Sequence, residues 1–202
     1  MTTLTLVRHG ETDWNRDRRI QGATDIPLND DGRAQARAAA QRLRDQLPTD
    51  APIVVACSDL SRAHETARLV AEGLAAAAPR VYPGLRERGY GAAEGMTTTD
   101  FFARWGDWHT ADIPDAEPWA ALRARAVATI RRVVRDARRQ TAPVGPAVVV
   151  VTHGALIREV IRHATGGAFP SPAERLPNGS AHTLLVERDR LRLLDYAAAP
   201  PA

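Results

Sequence analysis

Short apolar runs alternate along the chain with longer stretches in which apolar residues recur at helical spacing. The runs at Leu4–Arg8, Ile53–Ala56 and Ala147–Thr152 have the length and continuity of strands that are buried on both faces. Helical spacing is found in four other stretches, at Ala36, Ala39, Ala40, Leu43 and Leu47, at Ala63, Ala67, Val70, Leu74 and Ala77, at Leu122, Ala126, Ile130, Val133 and Ala137, and at Leu156, Ile157, Val160 and Ile161. The pattern predicts strands that alternate with helices.

Boundary residues divide these stretches. Asn29 can cap the first helix and Pro48 ends it, Ser61 can cap the second helix, and the third begins at Trp119. The other expected elements are a minor strand at Val81–Tyr82, a less regular segment from Ala92 to Pro118, a hairpin-like pair of strands at His182–Glu187 and Leu191–Tyr196, and a frayed tail at Ala197–Ala202.

The order of elements predicts the fold class. Strands followed by helices, and then a hairpin, indicate an α/β protein: a three-layer α/β/α sandwich around a mostly parallel central sheet. The sequence shows no linker, internal repeat or low-complexity insert. We therefore expect residues 1–202 to form a single domain, a length at which most of the apolar surface is buried on folding.

Composition adds an expected location. The chain is 44% apolar and 25% charged, as globular proteins in water are. No apolar run approaches the roughly 18–20 residues that span a bilayer, and the N-terminus does not have the pattern of a signal peptide. We therefore expect a cytoplasmic protein that does not interact with membranes. The single cysteine, Cys57, excludes an internal disulfide, and its position after an apolar run indicates a buried thiol.

The charge pattern favours a small anionic partner. All 27 basic residues are arginine, and the net charge is +3. A basic protein can bind nucleic acid, but these arginines are interleaved with acids along the whole chain, so we expect no nucleic-acid partner. The residues also show no metal-ligand spacing, which predicts no metal and no cofactor. The apolar stripes are all explained as core, which leaves the oligomeric state open, a homodimer included.

Polar residues follow three of the predicted strands. Arg8 and His9 follow the first strand, Arg62 lies just beyond the second, and His153 and Gly154 follow the third. Because ligands bind beyond the carboxyl ends of the strands in an open α/β sheet, we expect these side chains to meet at one edge. Two arginines and two histidines would repel one another there unless they held an anion. A phosphoryl group matches them, since guanidinium groups pair with its oxygens.

These residues belong to a longer pattern that resembles the histidine phosphatase superfamily, the phosphoglycerate mutase-like proteins. The first block is Leu6–Thr12 with Trp14-Asn15. The other blocks, in order, are Gln21-Gly22, Asp25–Leu28, Gly32–Ala36, Ser58–Ala63 with Thr66, Leu85–Glu87 with Gly91 and Glu94-Gly95, Val151–Gly154, and Asn178–Ser180. The resemblance covers residues 4–95 and 147–186 and is weak over 96–146. It implies a phosphoglycerate mutase-like fold and phosphoryl transfer through a histidine.

The resemblance also assigns roles to residues. His9 is the expected nucleophile, because a neutral imidazole can attack phosphorus and hold the phosphoryl group. Arg8, Arg62 and His153 would stabilise charge on the transferred group, although His153 has the alternative role of orienting His9. Glu87 is the expected general acid, with a simple ion pair as the alternative.

The remaining assignments concern the surroundings of these residues. Asn15, Gln21 and Gly22 are expected to contact phosphate or substrate; the alternative is that they are ordinary polar loop positions. Gly154, in the second histidine motif, is also expected to contact phosphate or substrate. Arg86 and Arg88, which flank Glu87, are expected to point to solvent, and Glu94 to tether a loop. The arginines at 123–139 are predicted to lie on a solvent-exposed face of the long helix.

Three functions remain open in the sequence. A phosphatase passes the phosphoryl group to water, whereas a phosphoglycerate mutase returns it to its substrate and needs a lid that excludes water. In the mutases of this family, the segment after Glu94-Gly95 and the C-terminal tail are longer than they are here. The resemblance therefore favours a phosphatase acting on a small organic phosphate. The aromatic residues Phe101, Phe102, Trp105, Trp108 and Trp119 fit either core or a pocket for the leaving group. The third function, a phosphate-binding protein without catalysis, would require a lost catalytic residue, and none is missing.

Overall fold

The computed structural model describes residues 1–171 and 174–197 and is organised around one six-stranded sheet. The strands are β1 (Thr2–Arg8), β2 (Ile53–Cys57), β3 (Arg80–Val81), β4 (Ala147–Thr152), β5 (Ala181–Val186) and β6 (Leu191–Tyr196), in the spatial order β3-β2-β4-β1-β5-β6. The first four are parallel, and β5 and β6 join antiparallel at one edge. The mostly parallel sheet predicted from the sequence is confirmed.

Helices cover both faces of the sheet, as predicted. The α-helices are α1 (Asp13–Arg16), α2 (Asp30–Gln46), α3 (Ser61–Gly73), α4 (Thr98–Trp105), α5 (Trp119–Thr141) and α6 (Gly154–Ala164). Alternate residues of β1 point to opposite faces: Leu4 and Leu6 pack with α5 and α6, whereas Val7 packs with α2 and α3. The apolar stripe of α5 from Leu122 to Ala137 is buried, because it faces the sheet.

The register of the two central strands decides where the reactive side chains lie. In the parallel pair β1 and β4, the last paired residues are Arg8 and Thr152. The next residue of each strand is a histidine, and the backbone N–H of His9 donates to the Thr152 carbonyl over 2.9 Å. A slip of one residue in this register would turn every side chain of β1 to the opposite face and would offset the two histidines from each other.

Of the two predicted helix caps, one is confirmed and the other is wrong. Asn29 caps α2 as expected, with its side chain accepting from the Gly32 N–H. Ser61, however, is the first residue of α3 and not its cap; Leu60 holds the cap position without a side-chain bond. The Ser61 hydroxyl and N–H donate to the Asp25 carboxylate instead, an interaction that depends on a distant loop.

The segment predicted to be less regular contains a short helix. Within 92–118, α4 places Phe101 in a small core of its own with Ile20, Ala93 and Ile113. The minor strand begins one residue earlier than predicted, at Arg80. Of the tail predicted to fray, only Ala197 lies within the described residues.

Two further expectations concern Cys57 and membrane insertion. Cys57 is fully buried, as predicted, and burial raises the pKa of its thiol to about 12. Among the described residues, no helix combines the length and apolarity that crossing a bilayer demands.

Candidate active site

His9 is held at the end of β1 in one defined tautomer. Its Nδ1 lies 2.7 Å from the Gly10 carbonyl oxygen. Because a carbonyl oxygen only accepts, Nδ1 carries the hydrogen and Nε2 keeps its lone pair. Burial, followed by the charges of Arg62 and Arg8, holds the pKa of His9 well below its ordinary value. The imidazole is therefore neutral, which is the form that a nucleophile requires.

His153 lies beside His9 at the end of β4. The two ring centroids are 5.1 Å apart, and His153 is completely buried. Neither of its ring nitrogens has a hydrogen-bond partner among the described residues. Burial, Arg62 and His9 hold the pKa of His153 well below its ordinary value. An uncharged ring with both nitrogens unpaired is costly in a protein interior, and a bound oxyanion could receive its N–H.

Arg62 reaches the same place from the first turn of α3 and is completely buried. Two of its nitrogens donate to the backbone carbonyls of Gly22 and Thr24, each over 2.8 Å. Its Nε has no partner among the described residues. The carbonyls hold one side of the guanidinium, so the unpaired N–H remains for a ligand.

Arg8 makes a similar arrangement from β1. Its NH1 donates to the Leu176 carbonyl, and its Nε has no partner among the residues described. Burial lowers the pKa of Arg8 to about 10, against the opposing charge of Glu87. The group stays cationic at neutral pH. Unpaired donors on Arg8, Arg62 and His153 thus fit an anion with several oxygens, such as a phosphoryl group.

Glu87 is fixed by backbone donors. Its carboxylate accepts from the N–H groups of Arg88, Ala155 and Leu156 over 3.0–3.2 Å. The last two belong to the first turn of α6, where the helix dipole favours negative charge. Glu87 lines the same cavity as His9 and Arg8, so the structure brings the expected acid to the expected nucleophile.

The arginines that flank Glu87 behave differently from each other. Arg86 is exposed, as predicted, and pairs with Asp59 over 2.6 Å. The prediction for Arg88 is wrong, because this side chain is buried and not directed to solvent. Its guanidinium carbon lies 4.1 Å from the ring centroid of Trp119, and its Nε donates to the Glu117 carbonyl. Stacking on an aromatic face compensates for lost hydration.

The loop after β1 carries the other predicted ligand contacts. Gly22 has a φ of +57°, and a Cβ there would lie 2.1 Å from the Glu94 carboxylate, so glycine is required. Glu94 accepts from the N–H groups of Ala23 and Thr24, which confirms its tethering role. Asn15 receives a bond from Asn178, whose amide also donates to the carbonyls of His9 and Gly10.

A cavity of about 430 Å³ connects these groups. Seven of the nine residues predicted for the site line it, namely Arg8, His9, Asn15, Gln21, Gly22, Arg62 and Glu87. Gly154 lines an adjoining cavity of about 340 Å³ that shares Arg8 and Glu87. His153 lies buried beside His9. Among the described lining residues of the larger cavity, Glu87 is the only acid, against five arginines.

The aromatic residues after Gly95 divide between core and cavity. Phe101 is completely buried and stacks on Trp108 with centroids 4.0 Å apart. Phe102 is 48% exposed and lines the larger cavity, as Trp108 does. Trp119 lines the adjoining cavity. Some of these aromatic residues therefore belong to the core and others line a cavity, so each of the two predicted alternatives is partly correct.

Comparison with known proteins decides the family. The family model described as histidine phosphatase superfamily (branch 1) matches residues 4–198. The chain belongs to this superfamily. The phosphatase PhoE of Bacillus subtilis (strain 168), itself uncharacterised, is 33% identical over 97% of this chain and 94% of its own length. A metal-independent phosphoserine phosphatase of Arabidopsis thaliana is 30% identical, with 96% of this chain and 80% of its own length covered.

A solved structure and further relatives place the enzyme within the superfamily. A mycobacterial glucosyl-3-phosphoglycerate phosphatase in complex with VO3 aligns with a TM-score of 0.79 at 29% identity, covering 98% of this chain and all of the other. Proteins named as probable phosphoglycerate mutases match at 31% to 33% identity. The protein is thus a phosphomonoesterase-type enzyme of the histidine phosphatase superfamily.

Sequence reasoning missed several residues of this histidine phosphatase site. Arg18, Arg19 and Arg175 line the larger cavity, and no motif distinguishes them from the other arginines. Arg125 of α5 was expected on a solvated face, which is wrong: it is half-buried and bonded to the segment that carries Glu87. Arg123 pairs with the buried Glu159.

Proposed function

We propose that the protein hydrolyses small organic phosphomonoesters, without a metal ion, through a phosphohistidine formed on His9. The observation that carries this proposal is the bond from His9 Nδ1 to the Gly10 carbonyl, because it leaves Nε2 as the nucleophile beside two arginines. The donor set supports independence from metal: Arg8, Arg62 and His153 supply the positive charge and the N–H groups that phosphoryl transfer needs.

In the first step, the Nε2 lone pair of His9 attacks phosphorus as the bond to the leaving oxygen breaks. Glu87, in its protonated form, gives its proton to that oxygen, and the alcohol departs. The two arginines hold the equatorial oxygens throughout.

In the second step, water takes the place of the alcohol. Glu87, now a carboxylate, accepts a proton from the water. The water oxygen attacks phosphorus at the same time, and the bond between Nε2 of His9 and phosphorus breaks. Free phosphate leaves and His9 returns to its neutral form. The three backbone N–H groups that hold Glu87 stabilise the carboxylate that this step requires.

The leaving group is the organic part of the substrate. Phe102 and Trp108 offer an apolar surface, and Arg18, Arg19 and Arg175 offer positive charge, in the same cavity. This combination supports substrates with a sugar-like or apolar portion. Phosphoglycerate mutase activity is the alternative, and the names of some relatives favour it; those of others favour hydrolysis.

The test is to incubate the protein with p-nitrophenyl phosphate and, separately, with 3-phosphoglycerate, in the presence of a chelator. We expect phosphate release that His9→Ala abolishes, together with an acid-labile phosphoryl label that the variant does not acquire. His64→Ala, which changes an exposed histidine on α3, is the matched control and should retain activity. Interconversion of 2- and 3-phosphoglycerate with negligible phosphate release would overturn the proposal in favour of the mutase.

A further inference from the structure

Glu87 lies in a segment that has no regular structure of its own. Residues 86–89 belong to no helix or strand. The Glu87 side chain is anchored to the first turn of α6, but its reach into the cavity also depends on where its own backbone lies. The question is what holds that backbone in place.

The backbone carbonyls of four consecutive residues, 84–87, accept hydrogen bonds from side chains of α5 and β4. The carbonyls of Gly84, Arg86 and Glu87 accept from the guanidinium of Arg125, over 3.0, 2.8 and 3.3 Å. The Leu85 carbonyl accepts from the Thr152 hydroxyl at the end of β4, over 2.7 Å. One arginine therefore supplies three of the four bonds, and the fourth comes from the residue next to His153.

The hydrogen-bonding capacity of Arg125 is fully used. Its Nε and NH2 donate to the two carboxylate oxygens of Glu117, over 2.9 and 2.7 Å. The three bonds to the carbonyls use its remaining N–H groups, so all five donors of the guanidinium have acceptors. The two-pronged contact with Glu117 fixes the plane of the group. Glu117 is itself tied to the segment, because its N–H donates to the Gly89 carbonyl over 2.8 Å.

Arg125 does not belong to the walls of the site. It is absent from the described lining of both cavities, whereas Glu87 lines both. Its side chain is 27% exposed. The hydrogen bonds of Arg125 therefore reach the site through the backbone of that segment, and its charge, which also acts on His153, is kept by a lysine.

We infer that Arg125, oriented by Glu117, is a positioning residue that sets the location of the Glu87 carboxylate for proton transfer. The inference rests on the proposed role of Glu87 as general acid and base. General acid catalysis contributes on the order of 10²–10⁴-fold, and a displacement of about 1 Å can cost on the order of 10²-fold. The part of the rate that depends on Glu87 is thus the part that Arg125 controls.

Lysine cannot replace Arg125 in this role. An ammonium group has three donors at one point, whereas the five acceptors around Arg125 surround a planar fork. Arg125→Lys keeps the charge and most of the stem of the side chain, so it changes the geometry of the bonds while preserving the electrostatics. This makes it a sharper test than a change to alanine.

The experiment compares two substrates. The alcohol of p-nitrophenyl phosphate leaves without much need of a proton, whereas the alkoxide of glycerol 3-phosphate needs one. For Arg125→Lys we expect kcat/KM with glycerol 3-phosphate to fall by about 10–100-fold and kcat/KM with p-nitrophenyl phosphate to fall by less than about 3-fold. The comparison uses kcat/KM because this constant reports phosphoryl transfer to His9 and not the later hydrolysis of the phosphohistidine, which both substrates share and in which Glu87 is the base. Arg123→Lys is the matched control on the same helix; its partner is Glu159, and both activities should be retained.

A double-mutant cycle with Glu87→Gln separates positioning from general stability. If Arg125 acts through Glu87, the Arg125→Lys change should alter kcat/KM for glycerol 3-phosphate by less than about 2-fold in the Glu87→Gln background. Equal losses on both substrates, or losses that multiply in the double variant, would overturn the inference. Should Arg125→Lys not fold, Glu117→Gln serves instead, since it loosens the fork, and a selective loss is again expected.

The same cycle distinguishes this inference from the proposed function. Selective loss in Glu87→Gln without selective loss in Arg125→Lys refutes only the positioning role. Equal loss on both substrates in Glu87→Gln refutes the general acid itself, and the inference fails with it.

Discussion

The rings of His9 and His153 lie 5.1 Å apart, each at the first position beyond the paired ends of two neighbouring parallel strands. Burial and two adjacent arginines hold the pKa of both rings well below the ordinary value. Protonating either ring before substrate arrives is therefore unfavourable. The positive charge of this part of the site comes from Arg8 and Arg62, and both imidazoles are neutral.

A third buried histidine makes the stability depend on pH. Nδ1 of His182 accepts from the Ala197 N–H, so Nε2 carries the hydrogen and donates to the Ser180 hydroxyl. Burial lowers the pKa of His182 to about 4, against about 6.5 in the unfolded chain. Between these values the unfolded state binds a proton that the folded state does not. The free energy of unfolding should therefore fall as the pH decreases through this window, by up to about 1.4 kcal/mol per pH unit from this group.

Urea denaturation at several pH values checks this dependence. His182→Gln should flatten the slope between pH 6.5 and 4, whereas His64→Gln, at an exposed position, should not. Parallel slopes for the wild type and His182→Gln would show that His182 does not contribute to it.

An anion that fills the site should stabilise the fold. Inorganic vanadate or phosphate would satisfy the unpaired donors of Arg8, Arg62 and His153, and a ligand at 100 times its Kd adds about 2.7 kcal/mol. Arg62→Lys should reduce the ligand-induced rise in Tm, because the fork that binds Gly22, Thr24 and the anion together is lost.

Thermal unfolding with and without the anion measures this effect. Arg68→Lys is the matched control, since Arg68 is exposed on the same helix and pairs with Glu72. An unchanged rise in Tm for Arg62→Lys would place the anion elsewhere.

The sequence predicted the sheet and the meeting of Arg8, His9, Arg62 and His153, because parallel strands bring their carboxyl ends to one edge. It did not predict the burial of Arg88. That burial depends on Trp119, far away in the chain and weakly matched to any motif. Charge pattern alone cannot show which arginine of a long helix meets a loop through its backbone carbonyls.

The contact between Gly10 and Gly32 should tolerate no side chain. A Cβ on Gly10 would lie 2.2 Å from the Gly32 carbonyl oxygen, where the turn after His9 meets α2. Gly10→Ala should lower the free energy of unfolding by about 1–3 kcal/mol or more through overpacking, and should displace the carbonyl that orients His9.

Equilibrium urea denaturation and kcat together measure both effects. Gly145→Ala is the matched control, because a Cβ there meets nothing within 4 Å, and its stability should stay within about 0.5 kcal/mol of the wild type. Equal behaviour of the two variants would contradict the prediction.

Substitution of two adjacent phenylalanines should affect two different properties, stability for one and substrate binding for the other. Phe101 is completely buried, so Phe101→Ala should cost about 3–5 kcal/mol of stability. Phe102 is half-exposed at the cavity, so Phe102→Ala should leave stability nearly unchanged and raise KM for substrates with an apolar leaving group. Urea denaturation and initial-rate kinetics distinguish them, and an unchanged KM in Phe102→Ala would exclude contact with the leaving group.

The strand that carries His9 lies in the middle of the sheet, between β4 and β5, yet it precedes both of these neighbours in the sequence. Four helices and two other strands separate it from α5, and β4 and β5 follow only after α5. During translation, β1 therefore has no partner strand on either side until β4 has emerged, and its unpaired edges invite association with other nascent chains. Any truncation that removes β5 would expose one edge of the strand that carries His9.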